Sequence, residues 1–215
     1  MNKIAKLEEA LSRLAENQTL MIGGFAGIGT PEAIVDGIIE KGIKNLTVIA
    51  NDTAFVDKGI GKLVVNKLLK RVIVSHIGTN KETGRQMNAG EIEVELVPQG
   101  TLIERIRCGG AGLGGVLTPT GVGTVVEEGK EKIIRDGKVY LLELPLRADV
   151  ALVKAWKADT YGNLVYRRAA RNFNPTIALA ADFVIVEAEE IVEAGVLDPD
   201  EIITPGGVVD MIIRG

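Results

Sequence analysis

Groups able to do chemistry are concentrated in a few polar or glycine-rich stretches of this 215-residue chain, most of them directly after an apolar run. The first is Thr19-Leu20-Met21-Ile22-Gly23-Gly24-Phe25-Ala26-Gly27-Ile28-Gly29-Thr30-Pro31. Its apolar start reads as a buried strand. The glycines allow close approach of backbone to a ligand. Thr30-Pro31 reads as a helix N-cap followed by proline at the first helical position. A helix start behind such a turn offers unpaired N–H groups and favours negative charge. The pattern predicts a site for an anion or an acyl group, and it serves a plain strand-to-helix turn equally well. Two asparagines, Asn51 and Asn80, follow the apolar strands expected over 46–50 and 71–75. Polar residues at the carboxyl ends of such strands lie where open α/β sheets bind ligands. Gln99 sits in Pro98-Gln99-Gly100-Thr101 and brings a neutral amide donor that cannot act as a nucleophile. On its own it reads first as a cap for the helix starting at Thr101. Residues 109–124 form a long glycine-rich stretch without periodicity, and such a loop within a compact domain is usually functional.

Other familiar constellations fail on context. Gly110-Ala111-Gly112-Leu113-Gly114-Gly115 matches the spacing of a dinucleotide loop, but it follows a helical pattern and Pro119 interrupts any helix behind it. No glycine run leads into Lys-Ser or Lys-Thr, so a P-loop is absent. His76 is the sole histidine, which excludes histidine-based zinc clusters, and no metal site is expected. At the end of an apolar strand, His76 reads as packing or turn polarity. Ser12 and Ser75 are not in nucleophile elbows. Cys108, late in a helical pattern, reads as a small buried hydrophobe. Glu91, Glu93 and Glu95 alternate along one strand face and read as a solvated edge. The chain therefore has loops suited to an acyl group or an anion and no complete set of catalytic groups.

The elements that must carry these residues follow from composition and period. Hydrophobic residues make up 46%, aromatics only 4%, and glycine 26 positions, so the core is built from Val, Ile, Leu and Ala, the palette of a parallel sheet buried on both faces. Ile4, Leu7, Leu11 and Leu14 predict an opening amphipathic helix ending near Asn17. Helices are expected over 31–41 (stopped by Gly42), 61–69, 82–89, from Thr101 through Ile106, and over 175–181. Strands are expected over Thr19–Ile22, 46–50, 71–75, 138–142, 150–153 and, as a last buried strand, 183–186. Ile92, Val94 and Leu96 alternate with glutamates and belong at a sheet edge or in a smaller subdomain. An acidic tail (Glu187, Glu189, Glu190, Glu193) follows. Alternating strands and helices predict an α/β fold with a three-layer, open, mostly parallel sheet flanked by helices, plus a small β-rich subdomain, in one domain spanning 1–215. Net charge is −4 and Trp156 is the only indole, which disfavours nucleic acid. A single cysteine, no apolar run of membrane-spanning length and no signal-peptide core lead to an expected cytoplasmic location, with no membrane partner.

Taken together, four spaced motifs resemble the A (alpha) subunits of family I coenzyme A transferases of the 3-oxoacid and acetate/butyrate–acetoacetate type. Residues 20–31 resemble the family signature of three apolar residues, Gly-Gly-Phe, three residues, Gly-x-Pro. Residues 91–102 resemble its E-x-E-x-E-L-x-P-Q-G-T-L. Gly109-Gly110-Ala111-Gly112 with Thr118-Pro119-Thr120-Gly121 resembles its GGAG and T-P-T-G loop. The segment from Ala169 through Asp198-Pro199 to Thr204-Pro205-Gly206 is similar as well. One departure is Glu16, where the signature usually carries Asp.

The resemblance implies a CoA-transferase-like fold and one subunit of a two-subunit enzyme. CoA would pass between a short-chain or 3-oxoacyl-CoA and a free carboxylate of the acetate, butyrate, acetoacetate or succinate class. The implied nucleophile is a glutamate in a Ser-Glu-Asn-Gly motif of the beta subunit, and this chain has no Ser-Glu dipeptide. The implied route is ping-pong: the glutamate attacks the acyl-CoA carbonyl, CoA thiolate takes the mixed anhydride to a glutamyl-CoA thioester, and the acceptor carboxylate reverses the steps. Gln99 would then donate to the oxyanion. Gly24, Phe25, Ala26, Gly27, Ile28, Gly29 and Thr30 would bind CoA. Asn51 and Asn80 would be polar groups of the acyl pocket, with Gly109, Gly110, Ala111 and Gly112 lining it or the subunit contact. No resident cofactor is implied, since coenzyme A is a substrate carried covalently on the partner, and α2β2 or α4β4 assemblies are expected. Rival readings are a sugar-phosphate isomerase or sensor-like α/β domain, and a non-catalytic acyl-CoA-binding module.

Overall fold

The computed structural model describes residues 3–215; Met1 and Asn2, at the head of the expected opening helix, lie outside the described residues. The chain begins with α1 (Leu7–Leu11) and β1 (Thr19–Ile22), then alternates through α2 (Glu32–Lys41), β2 (Leu46–Ile49), α3 (Gly61–Val65), β3 (Leu69–Val74), α4 (Lys81–Asn88) and β4 (Glu93–Leu96). The long helix α5 (Gln99–Ala111) leads to β5 (Val116–Thr118), β6 (Lys132–Arg135) and β7 (Lys138–Glu143). The remainder comprises β8 (Ala148–Asp159), β9 (Leu164–Val165), α6 (Asn174–Ile177), β10 (Ala181–Val192) and β11 (Met211–Arg214).

The main sheet has the order β11-β10-β8-β1-β2-β3-β4 with every neighbouring pair parallel, and β9 pairs antiparallel with β8. Both faces are covered, as the near-continuous apolar strands require. Leu20, Ile22, Val48, Val72 and Leu152 face Leu11, Ile34, Ile38 and Leu63 of α1–α3. Met21, Ile49, Ile73, Ala151 and Val153 face Leu102 and Ile106 of α5 and Phe173 and Ile177 at α6. The second sheet is a small antiparallel one, β5-β7-β6, closed by a two-residue Asp136-Gly137 hairpin in which both residues have positive φ, 51° and 73°. An α/β fold with three layers and a small β-rich appendage is thus present, and the alternating Glu93–Leu96 strand takes the edge of the main sheet.

Several elements differ from expectation. The opening helix is confined to Leu7–Leu11, because Ile4 forms a parallel bridge to Ile212 instead. The helix at 61 stops at Val65, where Lys67 turns with φ 54°, and that over 175–181 shrinks to Asn174–Ile177. The strand over 183–186 is the middle of the twelve-residue β10, and Glu187, Glu189 and Glu190 of the acidic tail lie in its second half, with Glu193 just beyond its end. It is followed by β11, which lies outside the expected elements. Gly109, Gly110 and Ala111 are not in a loop but end α5, with Gly112 as its left-handed cap at φ 67°. Thr30-Pro31 does not cap α2 in the expected way: Pro31 occupies the cap position, with no side-chain cap bond. Instead the buried Glu187 of β10 accepts the amides of Ala33 (2.9 Å) and Ile34 (3.2 Å), so a carboxylate of the chain itself fills the anion site at this helix start.

Candidate active site

Four adjacent parallel strands deliver their carboxyl-terminal residues to one cleft of about 390 Å³. Phe25 and Ala26 follow β1, Asn51 and Asp52 follow β2, Ser75 and His76 follow β3, and Gln99 follows β4; Thr79 completes the lining. This is the place where parallel sheets expose loop backbone and bind ligands.

Asp52 is the hub of the cleft. Although buried, its carboxylate accepts the Ala54 amide at 2.6 Å, the Ala26 amide at 2.9 Å and Asn51 Nδ2 at 2.6 Å. With both oxygens committed, it is not a free attacking group. Asn51 is buried too, and its Oδ1 accepts Gln99 Nε2 at 3.4 Å. Gln99 is the first residue of α5 and is exposed. Ser75 donates from Oγ to the Asn51 carbonyl (2.6 Å) and Thr79 from Oγ1 to the Ala54 carbonyl (2.6 Å). The His76 ring rests against Gly78, where a Cβ would come within 2.9 Å of Cε1 and push the ring aside.

The loop Gly24–Thr30 forms the wall of this cleft, and most of its amides are already used. Gly24 donates to Asn172 Oδ1 (3.1 Å), Phe25 and Ile28 exchange bonds across the turn (3.0 and 2.9 Å), and Ala26 is held by Asp52. Among the described residues the amides of Gly27, Gly29 and Thr30 find no acceptor. The expected cradle of unpaired N–H groups is therefore reduced to these, and the loop presents mainly the exposed side chains of Phe25 and Ile28. Asn172 and Asn174 fasten the loop from outside. Asn172 Nδ2 donates to the Ile28 carbonyl and Asn174 Nδ2 to the Gly29 carbonyl, each at 2.9 Å. Beyond the loop lies a second cleft of about 420 Å³, with Ile28, Lys154, Trp156, Tyr166, Arg167 and Arg168 among its lining.

A family model described as Coenzyme A transferase matches residues 4–215. The chain belongs to the coenzyme A transferase family. It is 62% identical over 211 residues to the acetate CoA-transferase subunit alpha of Escherichia coli strain K12, covering 98% of this chain and 96% of that one. It is 50% identical over 213 residues to the alpha subunit of the acetoacetyl-CoA:acetate/butyrate CoA transferase of Clostridium acetobutylicum, covering 99% and 98%. Among solved structures, it superposes on the acyl-CoA transferase YdiF of E. coli O157:H7, in its thioester complex with CoA, with a TM-score of 0.89 at 21% identity. All of this chain is covered there, but only 47% of that one, so it spans about half the length of that protein. A single-residue variant of the decarboxylase AibA/AibB gives a TM-score of 0.83 at 25% identity, covering 100% and 84%. The coenzyme A transferase fold is thus shared with another chemistry, and function must be argued from the site.

The cleft gathers Phe25, Ala26, Asn51 and Gln99 of the residues singled out in the sequence, and leaves others aside. Asn80 caps α4: its Oδ1 accepts the Glu82 and Thr83 amides and its Nδ2 donates to the Thr53 carbonyl, and the residue is buried away from the lining. Gly109 packs against Leu146, whose carbonyl oxygen would lie 1.9 Å from a Cβ, and Gly110 against Leu179. Neither lines the cleft, nor do Ala111 and Gly112. Gly24 and Thr30 are buried beneath the loop. Asp52, Thr79 and the ring of His76 belong to the site and were not selected by residue type. Their common signal is position, a few residues past the end of an apolar strand. Among the described residues no helix is long and apolar enough to cross a membrane.

Proposed function

We propose that this chain, as one domain over 1–215, is the alpha-type half of a two-chain CoA-transferase. It would move CoA between a short-chain or 3-oxoacyl-CoA and a free carboxylate, with the attacking glutamate supplied by a beta-type partner. The observation that carries this reading is the cleft itself: it holds an amide donor, Gln99, and its one carboxylate, Asp52, is tied to three donors. Each acyl-transfer step builds a tetrahedral oxyanion, and a preorganised donor stabilises it only where water is excluded. Gln99 is exposed in the single chain, and Phe25 (51%), Phe55 (41%) and Val56 (47%) stand exposed on the loops after β1 and β2. Exposed apolar side chains on two of the loops that feed an unfinished polar centre fit closure by a second chain.

In this reading Gln99 Nε2 donates to the oxyanion with the proton that Asn51 leaves unused. Phe25, Ile28 and the free amides of Gly27 and Gly29 contact CoA along the loop. Coenzyme A is the only carrier, held as a thioester on the partner, and the partnership is α2β2 or α4β4. The test is turnover of acetoacetyl-CoA with acetate by the chain assembled with its beta-type partner. Gln99→Ala should lose about 10²–10³ in kcat, the size typical of one oxyanion donor. A rate within threefold (about 0.65 kcal/mol) of the parent would remove Gln99 from the chemistry, and full activity of the purified chain without a partner would refute the two-chain reading.

A further inference from the structure

The donor role given to Gln99 has a condition that its own position does not meet. A glutamine side chain is nearly symmetric in shape, so N–H and C=O can exchange places by a flip, and only neighbouring groups decide which one faces the reacting oxygen. Here the decision is made two residues away in a chain of bonds. A carboxylate only accepts, so Asp52 Oδ2, at 2.6 Å, obliges Asn51 to turn its Nδ2 inward. That leaves Asn51 Oδ1 facing Gln99, and an acceptor there obliges Gln99 to present Nε2. Asp52 itself cannot swing, because the Ala26 and Ala54 amides hold its oxygens and it is 7% exposed.

We propose that Asp52 is a positioning residue of the transfer reaction: acting through Asn51, it fixes the Gln99 amide with its N–H toward the oxyanion. The inference rests on the function proposed above. An asparagine at 52 keeps the shape and can still accept the loop amides through Oδ1. Its Nδ2 would then face Asn51 Nδ2, donor against donor. Asn51 flips to relieve this, and the flip turns Gln99 so that a carbonyl meets the developing negative charge.

The experiment is a cycle of Asp52→Asn, Gln99→Ala and the double variant, each assembled with the beta-type partner and assayed with acetoacetyl-CoA and acetate. Asp52→Asn is expected to lower kcat by about 10–100-fold, with KM for the CoA ester changing less than about threefold. In the Gln99→Ala background the same substitution should change kcat less than about twofold, since the group it orients is gone. A residue that merely supports the fold would give the same loss in both backgrounds. Equal losses, or a single variant as fast as the parent, overturn the proposal. Should Asp52→Asn not assemble, Asn51→Leu breaks the relay one link nearer Gln99, leaves the Asp52–amide bonds in place, and is read by the same cycle. If Gln99→Ala alone leaves kcat unchanged, the donor role fails, and this inference is overturned with it. If Gln99→Ala is slow and Asp52→Asn is not, only the positioning role fails.

Discussion

Replacing Glu187 with alanine should destabilise the protein more than any surface change, because one carboxylate serves two elements at once. Glu187 is 3% exposed in β10, and its Oε1 holds Lys154 Nζ of the neighbouring strand β8 at 2.9 Å. Its Oε2 accepts the Ala33 and Ile34 amides that open α2. Alanine strands a largely buried ammonium, which by itself costs about 3–5 kcal/mol. It also leaves two helix amides without their acceptor, and the helix start without the negative charge it favours. For a chain of this size each kcal/mol moves the melting temperature by about 2–4 °C, so a fall of about 6–20 °C is expected in a thermal melt. The pair, rather than packing, is the cause, so Glu187→Leu combined with Lys154→Met should recover more than half of the loss, since a well-packed apolar pair replaces a buried ion pair at little cost. A fall below about 2 °C for Glu187→Ala, or a double variant as unstable as the single one, refutes the reasoning.

Two glycine substitutions should act in opposite directions. Gly109→Ala drives a Cβ to 1.9 Å from the Leu146 carbonyl oxygen and should cost about 1–3 kcal/mol by chemical denaturation, whereas Gly84→Ala in α4 meets nothing within 4 Å and should gain about 0.5–1 kcal/mol. In acid, the Arg85 bonds hold Glu82 and Glu91 down to about 2, below the ordinary carboxylate value, so their contribution is present above the unfolded value and lost as pH falls through the folded one. Glu95 is likewise lowered: burial works against its charge, but the Arg105 and Arg71 bonds outweigh it. Melting curves of the parent and Arg85→Ala should therefore differ at pH 6 and converge toward pH 2; a constant gap would contradict the assignment. Substituting Asn80 by alanine removes the α4 cap and should cost about 0.5–2 kcal/mol while leaving kcat unchanged in the assembled enzyme, the outcome that separates a cap from a pocket group.

What was readable in the sequence was local. The apolar run before Gly23, the strand before Asn51 and the Pro98-Gln99-Gly100 turn each carry their signal within a dozen residues, and the structure places Phe25, Asn51 and Gln99 in one cleft. What was not readable depended on partners far along the chain. Glu187 looks like part of an acidic tail until strand register sets it beside Lys154, 33 residues earlier, and beneath a helix start 153–154 residues earlier. The same holds for Gly109 and Gly110: glycine after glycine reads as a loop, while the close approach of Leu146 and Leu179 to α5 explains why a helix carries them. Asp52 was in plain view beside Asn51, yet nothing in its type says that it accepts an amide from a loop 26 residues away. The β6–β7 hairpin is the exception, since Asp136-Gly137 between two runs rich in Ile, Val, Tyr and Leu was a usable turn signal.

Glu187 and Asp52 together change what the glycine loop is for. A loop and a helix start with free amides would be an anion site, but Glu187 claims the Ala33 and Ile34 amides at the helix start, and in the loop Asp52 claims that of Ala26, Asn172 that of Gly24, and Phe25 and Ile28 each other's. Asn172 and Asn174 hold the same loop from its outer side. A segment fixed at that many points is built to hold side chains still rather than to wrap a phosphate. Its product is a rigid wall, with Phe25 on one cleft and Ile28 on the other. Rigidity at this place is what an oxyanion donor needs, because a donor stabilises charge without reorganising only if its neighbours are already locked. In the proposed reaction, the contact of the loop with CoA and the aiming of the Gln99 amide would thus draw on a single set of hydrogen bonds, with Asp52 shared between them.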